Sequence, residues 1–226
     1  MNVDQKEIRW HEQGLFRRLP EKALVKLKAQ AQKASYSRGE VLFREGDPAE
    51  KLFIIASGWV QIVRRVVDSQ ALTLDLVTAR DPYCGLSACT GGRYMATAVA
   101  GTPVTAAILP SSVLKSLMEE HAGMASQVAR LINTRYRHIA WAYSYAFAPV
   151  TRRIAAALLR FSEDFGRTLP LMRREVAALA GTTVETSIRV TRRMEKAGWV
   201  KMRRGRIEIL LPEALEQEAH PQQAAK

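Results

Sequence analysis

The segment that decides the fold is MRREVAALAGTTVETSIRVTRRM, residues 172–194. Within it, residues 174–180 are expected to form a short amphipathic helix. Gly181 then permits a tight turn, and Thr183 can cap a second helix, at about 184–197, by accepting a hydrogen bond from an exposed backbone N–H. Two helices joined by such a turn are typical of a helix-turn-helix, whose second helix enters the DNA major groove.

The second helix and the residues after it separate into apolar and basic faces. The helical spacing is expected to direct Ile188 and Met194 toward the first helix. It leaves four charged residues on the more polar faces, namely Glu185, Arg189, Arg192 and Arg193. Residues 199–202 and 207–210 then favour two strands, joined by the basic turn Arg203-Arg204-Gly205-Arg206. This pattern predicts a β-wing beside the helix-turn-helix.

The positive charge of the chain is concentrated around this segment. The whole sequence carries a formal net charge of +12 and has a pI near 10.1. Residues 150–211 alone hold 14 Lys and Arg against six Asp and Glu. A surplus of this size favours association with polyanions such as nucleic acid. Because it coincides with the helix-turn-helix, we expect this part of the chain to bind double-stranded DNA.

The part of the chain before this segment predicts a β-rich domain. Residues 15–33 favour one or two short helices with apolar residues near helical spacing. Short β-prone runs follow at 52–55, 59–63 and 73–77, separated by glycine-containing turn signals. Many short strands at close spacing indicate an antiparallel sandwich or barrel over about 35–110.

A long helix is expected between these two domains. After Pro110, the stretch to Phe147 holds no proline and a single glycine, and it predicts a helix of about 25 residues. Such a helix is longer than one face of a sandwich requires, which favours pairing with a second copy of the chain. Six residues are predicted to lie on that dimer helix seam: Val128, Leu131, Ile132, Arg135, Ile139 and Ala142. Ala148-Pro149 is expected to end the helix and to form a hinge.

The sequence therefore predicts an α+β chain in three parts. These are N-terminal helices with a β-domain at 1–110, a dimerisation helix and hinge at 111–148, and a winged helix-turn-helix at 149–226. The start of the chain has no apolar run of secretory length, and no stretch approaches the about 18 apolar residues of a membrane span. We therefore expect a cytoplasmic location and no membrane partner.

Two motifs in this order resemble the catabolite activator/fumarate-nitrate regulator (CRP/FNR) family of transcription factors. The first is GEVLFREGD at 39–47, followed by LFII at 52–55 and SGWV at 57–60. The second is EVAALAGTTVETSIR at 175–189. The resemblance implies a jelly-roll-like β-roll as sensor domain, and a homodimer that binds a two-fold symmetric DNA site. It also implies contact with RNA polymerase if the protein is an activator.

The resemblance also assigns roles at the DNA interface. Glu185 and Arg189 match the family's base-contacting pair, and Val184 and Ile188 flank them. A glutamate that accepts from cytosine N4 and an arginine that donates to guanine O6 and N7 are chemically suited to this role. Residues expected at the DNA phosphates are Thr183, Arg173, Arg174, Arg192, Arg193, Arg203, Arg204 and Arg206.

The family's cyclic-nucleotide pocket is altered in this sequence. Without gaps, the alignment puts Gly85 at the glutamate that binds the ribose and Met95 at the arginine that binds the phosphate. A buried phosphate without its bidentate cation is costly, so cyclic AMP is not expected to bind, and Gly85→Glu with Met95→Arg is expected to restore weak binding. The candidate effector pocket comprises Gly85, Leu86, Ser87, Met95, Ala96, Thr97, His138 and Trp141.

Other signals stay open at this stage. Haem is one alternative, with Cys84 and His138 as ligand candidates, although no cofactor is the main expectation. An aromatic effector, control by abundance and oxidation of Cys84 with Cys89 are the others. An enzyme is not supported, because the four histidines are scattered and no catalytic motif is present. A signalling module that does not bind DNA is the rival class, and it would need the missing phosphate arginine.

Overall fold

The computed structural model describes residues 10, 15–65, 71–79 and 83–220, without the side chains of Arg65, Ala71, Trp141 and Ala142. The chain forms two compact units. The first comprises Met1–Val67 and Leu74–Ala140, and the second comprises Asp68–Thr73 and Trp141–Lys226. The unit boundary thus falls before the hinge predicted at 148–149, and the three-part division stays a prediction.

The first unit is built around two four-stranded sheets. Their strand orders are β1-β8-β3-β6 and β2-β7-β4-β5. The β1–β8, β3–β8, β3–β6, β2–β7 and β4–β7 pairs are antiparallel. The strands are β1 Gln32–Tyr36, β2 Val41–Phe43, β3 Lys51–Ser57, β4 Trp59–Arg65, β5 Ala71–Thr78, β6 Tyr83–Cys84, β7 Thr97–Ala100 and β8 Val104–Pro110. The predicted antiparallel β-roll is confirmed.

Strand β3 shows how the sequence builds two cores around one sheet. Successive side chains of a strand point to opposite faces. Leu52 and Ile54 therefore lie in the core beneath the helices, whereas Phe53 and Ile55 lie in the core between the sheets. All four are at most 2% exposed. A strand buried on both faces has a continuous apolar run, and this explains why LFII lacks the alternation of a half-buried strand.

Among the described residues, four helices lie wholly or mostly in the first unit, and the last of them ends four residues beyond it. They are α1 Glu21–Gln30, α2 Ser87–Thr90, α3 Ser111–Glu120 and α4 Ala122–Ser144. The predicted dimerisation helix is shorter than the stretch that suggested it, because an extended residue, His121, separates α3 from α4. The 23 residues of α4 span about 34 Å at 1.5 Å per residue. In the described ranges, no helix has the length and apolarity to cross a bilayer.

Helix α4 has two distinct apolar faces, and this corrects the predicted dimer helix seam. Val128 is 3% exposed and packs, with Leu131 beside it, in the core beneath the helices. Arg135 donates hydrogen bonds to the backbone oxygens of Leu76 and Tyr83. Side chains already packed on their own β-roll cannot form a seam with a second copy, so these three residues leave the predicted set. The Ala142 side chain lies outside what the structure describes.

The other face of α4 is exposed and has a regular pattern. Its large apolar residues are Ile132 at 44%, Tyr136 at 69%, Ile139 at 39% and Tyr143 at 70% exposed. They follow one another at steps of four, three and four residues, which is the heptad spacing of a coiled-coil seam. Two residues of the predicted seam, Ile132 and Ile139, thus lie on this exposed face. Tyr136 and Tyr143, which were not predicted, lie on it with them.

The second unit is a winged helix. It contains α5 Val150–Phe165, β9 Thr168–Leu169, α6 Arg173–Leu179, α7 Val184–Lys196, β10 Val200–Arg203, β11 Arg206–Ile209 and α8 Pro212–Ala219. The strands form one sheet in the order β10-β11-β9. Helix α5 follows Pro149 and buries Ile154, Leu158 and Phe161. The predicted helix-turn-helix with a wing is present. The predicted helix break is found, but it starts earlier than Ala148-Pro149, because α4 ends at Ser144 and α5 begins at Val150.

Candidate functional site

The start of helix α7 forms as the sequence predicts. Gly181 has a φ of +56°, the left-handed conformation that a side chain would disfavour. The N–H of Thr186 donates to the Thr183 hydroxyl oxygen over 3.2 Å, so Thr183 is the N-cap. The cap satisfies one of the free N–H groups of the first turn and fixes where α7 begins. The base-contacting candidates lie within that turn and the next.

The inner face of α7 is formed by small and apolar residues. Ser187, Val190, Thr191 and Met194 are buried. The hydroxyl of Ser187 donates to the Arg173 backbone oxygen over 3.3 Å, which joins α7 to the start of α6. Met194 points inward as expected. Ile188 is only half-buried, because the adjacent position, Ser187, fills the place against α6.

The outer face of α7 is one continuous basic surface. A depression of about 440 Å³ is lined by Glu185, Ile188, Arg189, Arg192, Arg193 and Lys196. Their spacing of three and four residues places them along a single helix face. All but Ile188 are exposed. Lys196 was not among the predicted contacts, although its position four residues after Arg192 could have indicated it. Val184 and Thr183 are exposed at the first turn, beside this depression.

Helix α6 is held by a buried glutamate that the sequence analysis passed over. Glu175 is 6% exposed, and its Oε2 accepts a hydrogen bond from the Met172 backbone N–H over 2.6 Å. A glutamate at the third helical position that bonds the residue before the helix is half of a capping box, a pattern visible in the sequence. This cap leaves the preceding residues, Arg173 and Arg174, exposed toward solvent.

The wing carries less free positive charge than its sequence suggests. Strands β10 and β11 pair with Arg203 opposite Arg206, so Arg204 and Gly205 form the tip. The Nε atoms of Arg203 and Arg206 lie 3.8 and 3.7 Å from the same carboxylate oxygen of Glu208. Both arginine side chains are about half exposed. Glu208 therefore competes with DNA phosphates for two of the three wing arginines.

A second carboxylate connects α7 to the wing. The Oε1 of Glu195 accepts a hydrogen bond from the Met202 backbone N–H over 2.8 Å. The backbone N–H of Trp199 also donates to the oxygen of Met194. These bonds join the end of the helix to the first wing strand. The two elements predicted to contact DNA are thereby fixed to each other.

The predicted effector residue Gly85 lies in a tightly packed part of the β-roll. Its φ is +80°, and a Cβ atom placed there would approach the Lys51 oxygen to 3.0 Å and the Tyr94 ring to 3.1 Å. A longer side chain at this position would be strained by the backbone and by these neighbours. These contacts oppose the expected rescue of cyclic-nucleotide binding by Gly85→Glu with Met95→Arg, which stays a prediction.

The space beside Gly85 is filled by Tyr94. Its ring stacks on Phe43 with centroids 3.9 Å apart, and it is 5% exposed. The Tyr94 hydroxyl donates to the Lys51 oxygen over 2.7 Å and accepts from the Lys51 N–H over 3.1 Å. Burial raises the pKa of Tyr94 to about 12, so the hydroxyl stays neutral. Sequence reasoning missed this residue because it assigned the inward position to its neighbour.

In the part of the chain that the structure describes, the other predicted pocket residues make separate contacts. Met95 is 75% exposed, and Arg93 donates to the backbone oxygen of Gly46 over 2.6 Å instead of facing Gly85. Leu86 packs against the core beneath the helices, and Thr97 accepts a hydrogen bond from the Glu45 N–H. Ser87 is half-buried and Ala96 is buried. The Trp141 side chain is outside the described residues.

His138 belongs to a polar cluster that joins α4 to β5. Its Nδ1 lies 3.4 Å from an oxygen of Asp75, and the Arg135 guanidinium lies 2.9 Å from the other oxygen. Burial would raise the pKa of Asp75, but the contact with His138, the charge of Arg135 and the Leu76 N–H together lower it. The cluster therefore holds a charged carboxylate that anchors α4 to the β-roll.

The two cysteines do not fit a haem site or a redox pair. Cys84 is 1% and Cys89 is 3% exposed, and they lie in the two different cores. Burial raises their pKa values to about 12 and about 11, which opposes the thiolate that an iron ligand or a reactive thiol requires. His138 is engaged with Asp75. Among the described residues, no cluster of three metal-binding side chains occurs.

Comparisons with known proteins agree with this architecture. The family model for the cyclic nucleotide-binding domain matches residues 33–121, and the model for the Crp-like helix-turn-helix domain matches residues 152–218. The chain therefore belongs to the CRP/FNR family of transcriptional regulators and has the family's helix-turn-helix DNA-binding domain. Members of this family regulate transcription and are not enzymes.

Individual relatives are similar over most of their length. The CRP-like cAMP-activated global transcriptional regulator of Mycobacterium tuberculosis is 28% identical over 198 residues, covering 84% of this chain and 88% of the relative. The cyclic AMP receptor protein of Thermus thermophilus is 28% identical over 180 residues, covering 79% and 83%. The structure of FixK2 from Bradyrhizobium japonicum shares the fold, with a TM-score of 0.76 at 19% identity, covering 83% of this chain and 96% of that one.

Proposed function

We propose that the protein is a sequence-specific regulator that binds a two-fold symmetric operator as a homodimer and that does not respond to a cyclic nucleotide. The observation that carries this proposal is the outer face of α7, where Glu185, Arg189 and Arg192 lie exposed along one helix face. A helix with this face in the major groove presents an acceptor for cytosine and a forked donor for guanine.

The base contacts are assigned to the first half of α7. Glu185 and Arg189 are four residues apart, so their side chains project from the same face toward neighbouring base pairs. Ile188, half-buried between them, offers an apolar contact of the kind made with a thymine methyl group. Val184 is 45% exposed at the first turn and borders the same bases.

The phosphate contacts are assigned to the arginines around this helix. Thr183 at the N-cap and Arg173 with Arg174 at the start of α6 are exposed on one side. Arg192 and Arg193 continue along α7, and Arg203, Arg204 and Arg206 extend from the wing. Phosphate contacts of this kind position a protein on DNA without reading its sequence. Their number favours strong dependence of affinity on salt.

The dimer is assigned to the free face of α4. Ile132, Tyr136, Ile139 and Tyr143 follow heptad spacing and are 39–70% exposed. A row of large apolar side chains in this pattern is stabilised by the same row of a second copy. When the same face of each copy forms the contact, a two-fold axis relates the two α7 helices, and this matches a symmetric operator.

The sensor unit is proposed to work without cyclic AMP. Two relatives are named for cyclic AMP, but here Tyr94 fills the space beside Gly85 and Met95 points to solvent. Neither Tyr94 nor Met95 can supply the charged, forked donor that binds a phosphate. Calorimetry with cyclic AMP and cyclic GMP is expected to show no binding. Micromolar affinity for either would overturn this part of the proposal.

The remaining assignments follow from the same function. A DNA-binding regulator of transcription acts where the DNA is, so we assign the protein to the cytoplasm. If it activates transcription, RNA polymerase is its further partner. We assign no haem to it, because the Cys84 thiol is buried and stays protonated.

The base-contacting role is tested with Arg189→Ala. Duplexes bound by the wild type are first selected from a random-sequence pool, and the selected sites are expected to be two-fold symmetric. Arg189→Ala is expected to weaken binding to the selected duplex by about ten- to a hundredfold, because it removes one bidentate base contact. Binding to a scrambled duplex is expected to change much less, as measured by fluorescence anisotropy.

The matched control for this test is Arg18→Ala. Arg18 is an exposed arginine of the first unit, so its removal changes the net charge equally and leaves the outer face of α7 intact. It is expected to leave the ratio of the two affinities unchanged. Equal losses by Arg189→Ala on both duplexes would refute the base-contacting role.

A further inference from the structure

A groove in the first unit lies outside every element assigned to DNA or to the dimer. It runs between α1 and α3 and has a volume of about 410 Å³. Its floor includes Leu27 and Leu117, which belong to the core beneath the helices. These floor residues are at most 6% exposed. The polar residues of the rim therefore decide which ligands the groove can bind.

One wall of the groove carries two lysines. Lys22 and Lys26 are both exposed and lie one turn apart on α1, so both stems follow the same edge of the groove. In the part of the chain that the structure describes, neither ammonium group is paired with a carboxylate. Two unpaired ammonium groups at one edge attract an anion more strongly than either alone.

The other wall carries neutral donors and an unsatisfied ring nitrogen. Ser112 and Ser116 lie one turn apart on α3 and border the groove with His121. The Nε2 atom of His121 is buried and has no hydrogen-bond partner among the described residues. A buried ring nitrogen without a partner is unfavourable. Because this nitrogen is closed off from solvent, a ligand oxygen reaches it only when the ring turns toward the groove.

We propose that this groove binds a small organic anion, a phosphate ester or carboxylate, through Lys22, Lys26 and the ring of His121. The hydroxyl groups of Ser112 and Ser116 are further donors to its oxygens, and the organic body lies over the apolar floor. Glu120 also borders the groove, so the charge surplus is small and the site favours one anionic group over several. This site is independent of the DNA interface.

The position of His121 connects the groove to α4. The His121 N–H donates to the Leu117 oxygen over 3.0 Å, and the Met124 N–H donates to the His121 oxygen over 2.8 Å. His121 is therefore the residue at which α3 ends and α4 begins. Met124 lies in the same core as the groove floor. A ligand bound to His121 would hold the first turn of the helix that carries the proposed dimer seam.

The test observes the ring of His121 directly. The full-length protein is labelled with ¹⁵N-histidine, and because the chain has only four histidines, the His121 signals are assigned by comparison with His121→Asn. Inorganic phosphate, phenyl phosphate and benzoate are the probes. The His121 ring signals are expected to shift and saturate in the range of about 1 mM or below. Phenyl phosphate is expected to bind more tightly than inorganic phosphate, and the benzoate arm distinguishes a carboxylate from a phosphate head.

Two double variants decide whether the groove lysines are responsible. Lys22→Ala with Lys26→Ala is expected to weaken binding by about tenfold or more, because two charge-assisted contacts are lost. Lys28→Ala with Lys115→Ala removes two lysines of the same helices that do not line the groove, and it is expected to have little effect. No saturable shift of His121 with any probe, similar shifts of all four histidines, or equal weakening by both double variants would overturn the proposal.

Discussion

Tyr94 packs in the core between the two sheets and lies beside Gly85, in the space where the sequence predicted an effector. Replacement with alanine removes the stacking on Phe43 and both hydrogen bonds to Lys51. Tyr94→Ala is therefore expected to lower the free energy of unfolding by about 3–5 kcal/mol, as for other large aromatic residues in cores. Urea unfolding followed by circular dichroism measures this change.

The contribution of the Tyr94 hydroxyl is isolated with Tyr94→Phe. This variant keeps the ring and loses the two hydrogen bonds, and it is expected to cost about 1 kcal/mol. If Tyr94→Ala cost no more than Tyr94→Phe, the ring would not be filling the space beside Gly85. The space beside Gly85 would then be open to a cyclic nucleotide.

Asp75 is expected to make the stability of the first unit depend on pH. Its pKa is lowered in the folded protein, so its charged form stabilises the fold above the ordinary pKa of aspartate, and this contribution is lost as the pH falls through the lowered value. At pH 7, Asp75→Asn is expected to lower the free energy of unfolding by about 2–3 kcal/mol, because it removes the charge that faces Arg135. The difference from wild type should shrink below about pH 4.

The control for this experiment is Asp47→Asn. Asp47 is exposed, and its carboxylate accepts a long hydrogen bond from the nearby Arg44 N–H at 3.3 Å. Its replacement with asparagine is expected to change the unfolding free energy little at any pH. A difference between Asp75→Asn and wild type that stayed constant from pH 7 to pH 3 would contradict the role given to the Asp75 carboxylate.

The affinity of the wing for DNA phosphates is expected to be lower than its three arginines suggest. Because Glu208 lies near both Arg203 and Arg206, Glu208→Gln is expected to tighten binding to a scrambled duplex by a fewfold and to steepen its salt dependence by up to about two phosphate contacts. Replacing all three wing arginines with glutamine is expected to weaken binding to the scrambled duplex and to flatten its salt dependence. Anisotropy titrations at several salt concentrations measure both effects.

Glu216→Gln is the matched control for the wing. Glu216 is exposed on α8, so its replacement changes the net charge by the same amount without freeing an arginine of the wing. It is expected to leave the slope of log affinity against log salt unchanged. If Glu208→Gln and Glu216→Gln had the same effect, overall charge would explain it and the ion pairs of the wing would not.

The elements differ in how well the sequence predicts them, for physical reasons. Helix α7 was predicted because its cap, its turn and its periodicity are local signals, and each acts over a few residues. The pairing of Arg203 and Arg206 with Glu208 was missed because it depends on the register of β10 with β11, which places three side chains of two strands together. The inward position of Tyr94 was missed because a shift of one residue along an extended segment reverses which side chain points inward.

The dimer is the property of the whole molecule that the structure makes testable. Ile139→Asp places a charge in the proposed seam twice, once from each copy, and is expected to weaken dimerisation by about a hundredfold. Sedimentation velocity across a range of concentrations measures the shift toward monomer. Binding to the selected symmetric duplex should fall with it, since each monomer contacts only one half-site.

Ser126→Asp is the control for the seam. Ser126 is an exposed residue of the same helix, and at 100° per residue it lies well away from the face that carries Ile132, Tyr136 and Ile139. It is expected to leave the dimer unchanged. If both variants dissociated alike, a general effect of negative charge on α4 would replace the proposed seam.

At the scale of the whole chain, the sequence predicted the class of architecture, but it did not predict which face of α4 packs on the β-roll and which face stays exposed. Periodicity showed that the helix has apolar residues, but it did not separate its two apolar faces, which are centred about 80° apart at 100° per residue. Only the packing of Val128 into the core and the bonds from Arg135 to the β-roll separate them. The signal of the sensor was unpredictable for a similar reason, since it depends on which side chains fill the space inside the roll.

The division of α7 into an inner and an outer face has a consequence for evolution. The residues that hold the helix in place, Ser187, Val190, Thr191 and Met194, are not those that face DNA. After a gene duplication, one copy can therefore change Glu185 or Ile188 and drift toward a new set of target promoters while its domain remains folded. Paralogues of this chain are expected to keep the inner face and to diverge at the outer one, and their lineages will be distinguished by the genes they control before their structures differ.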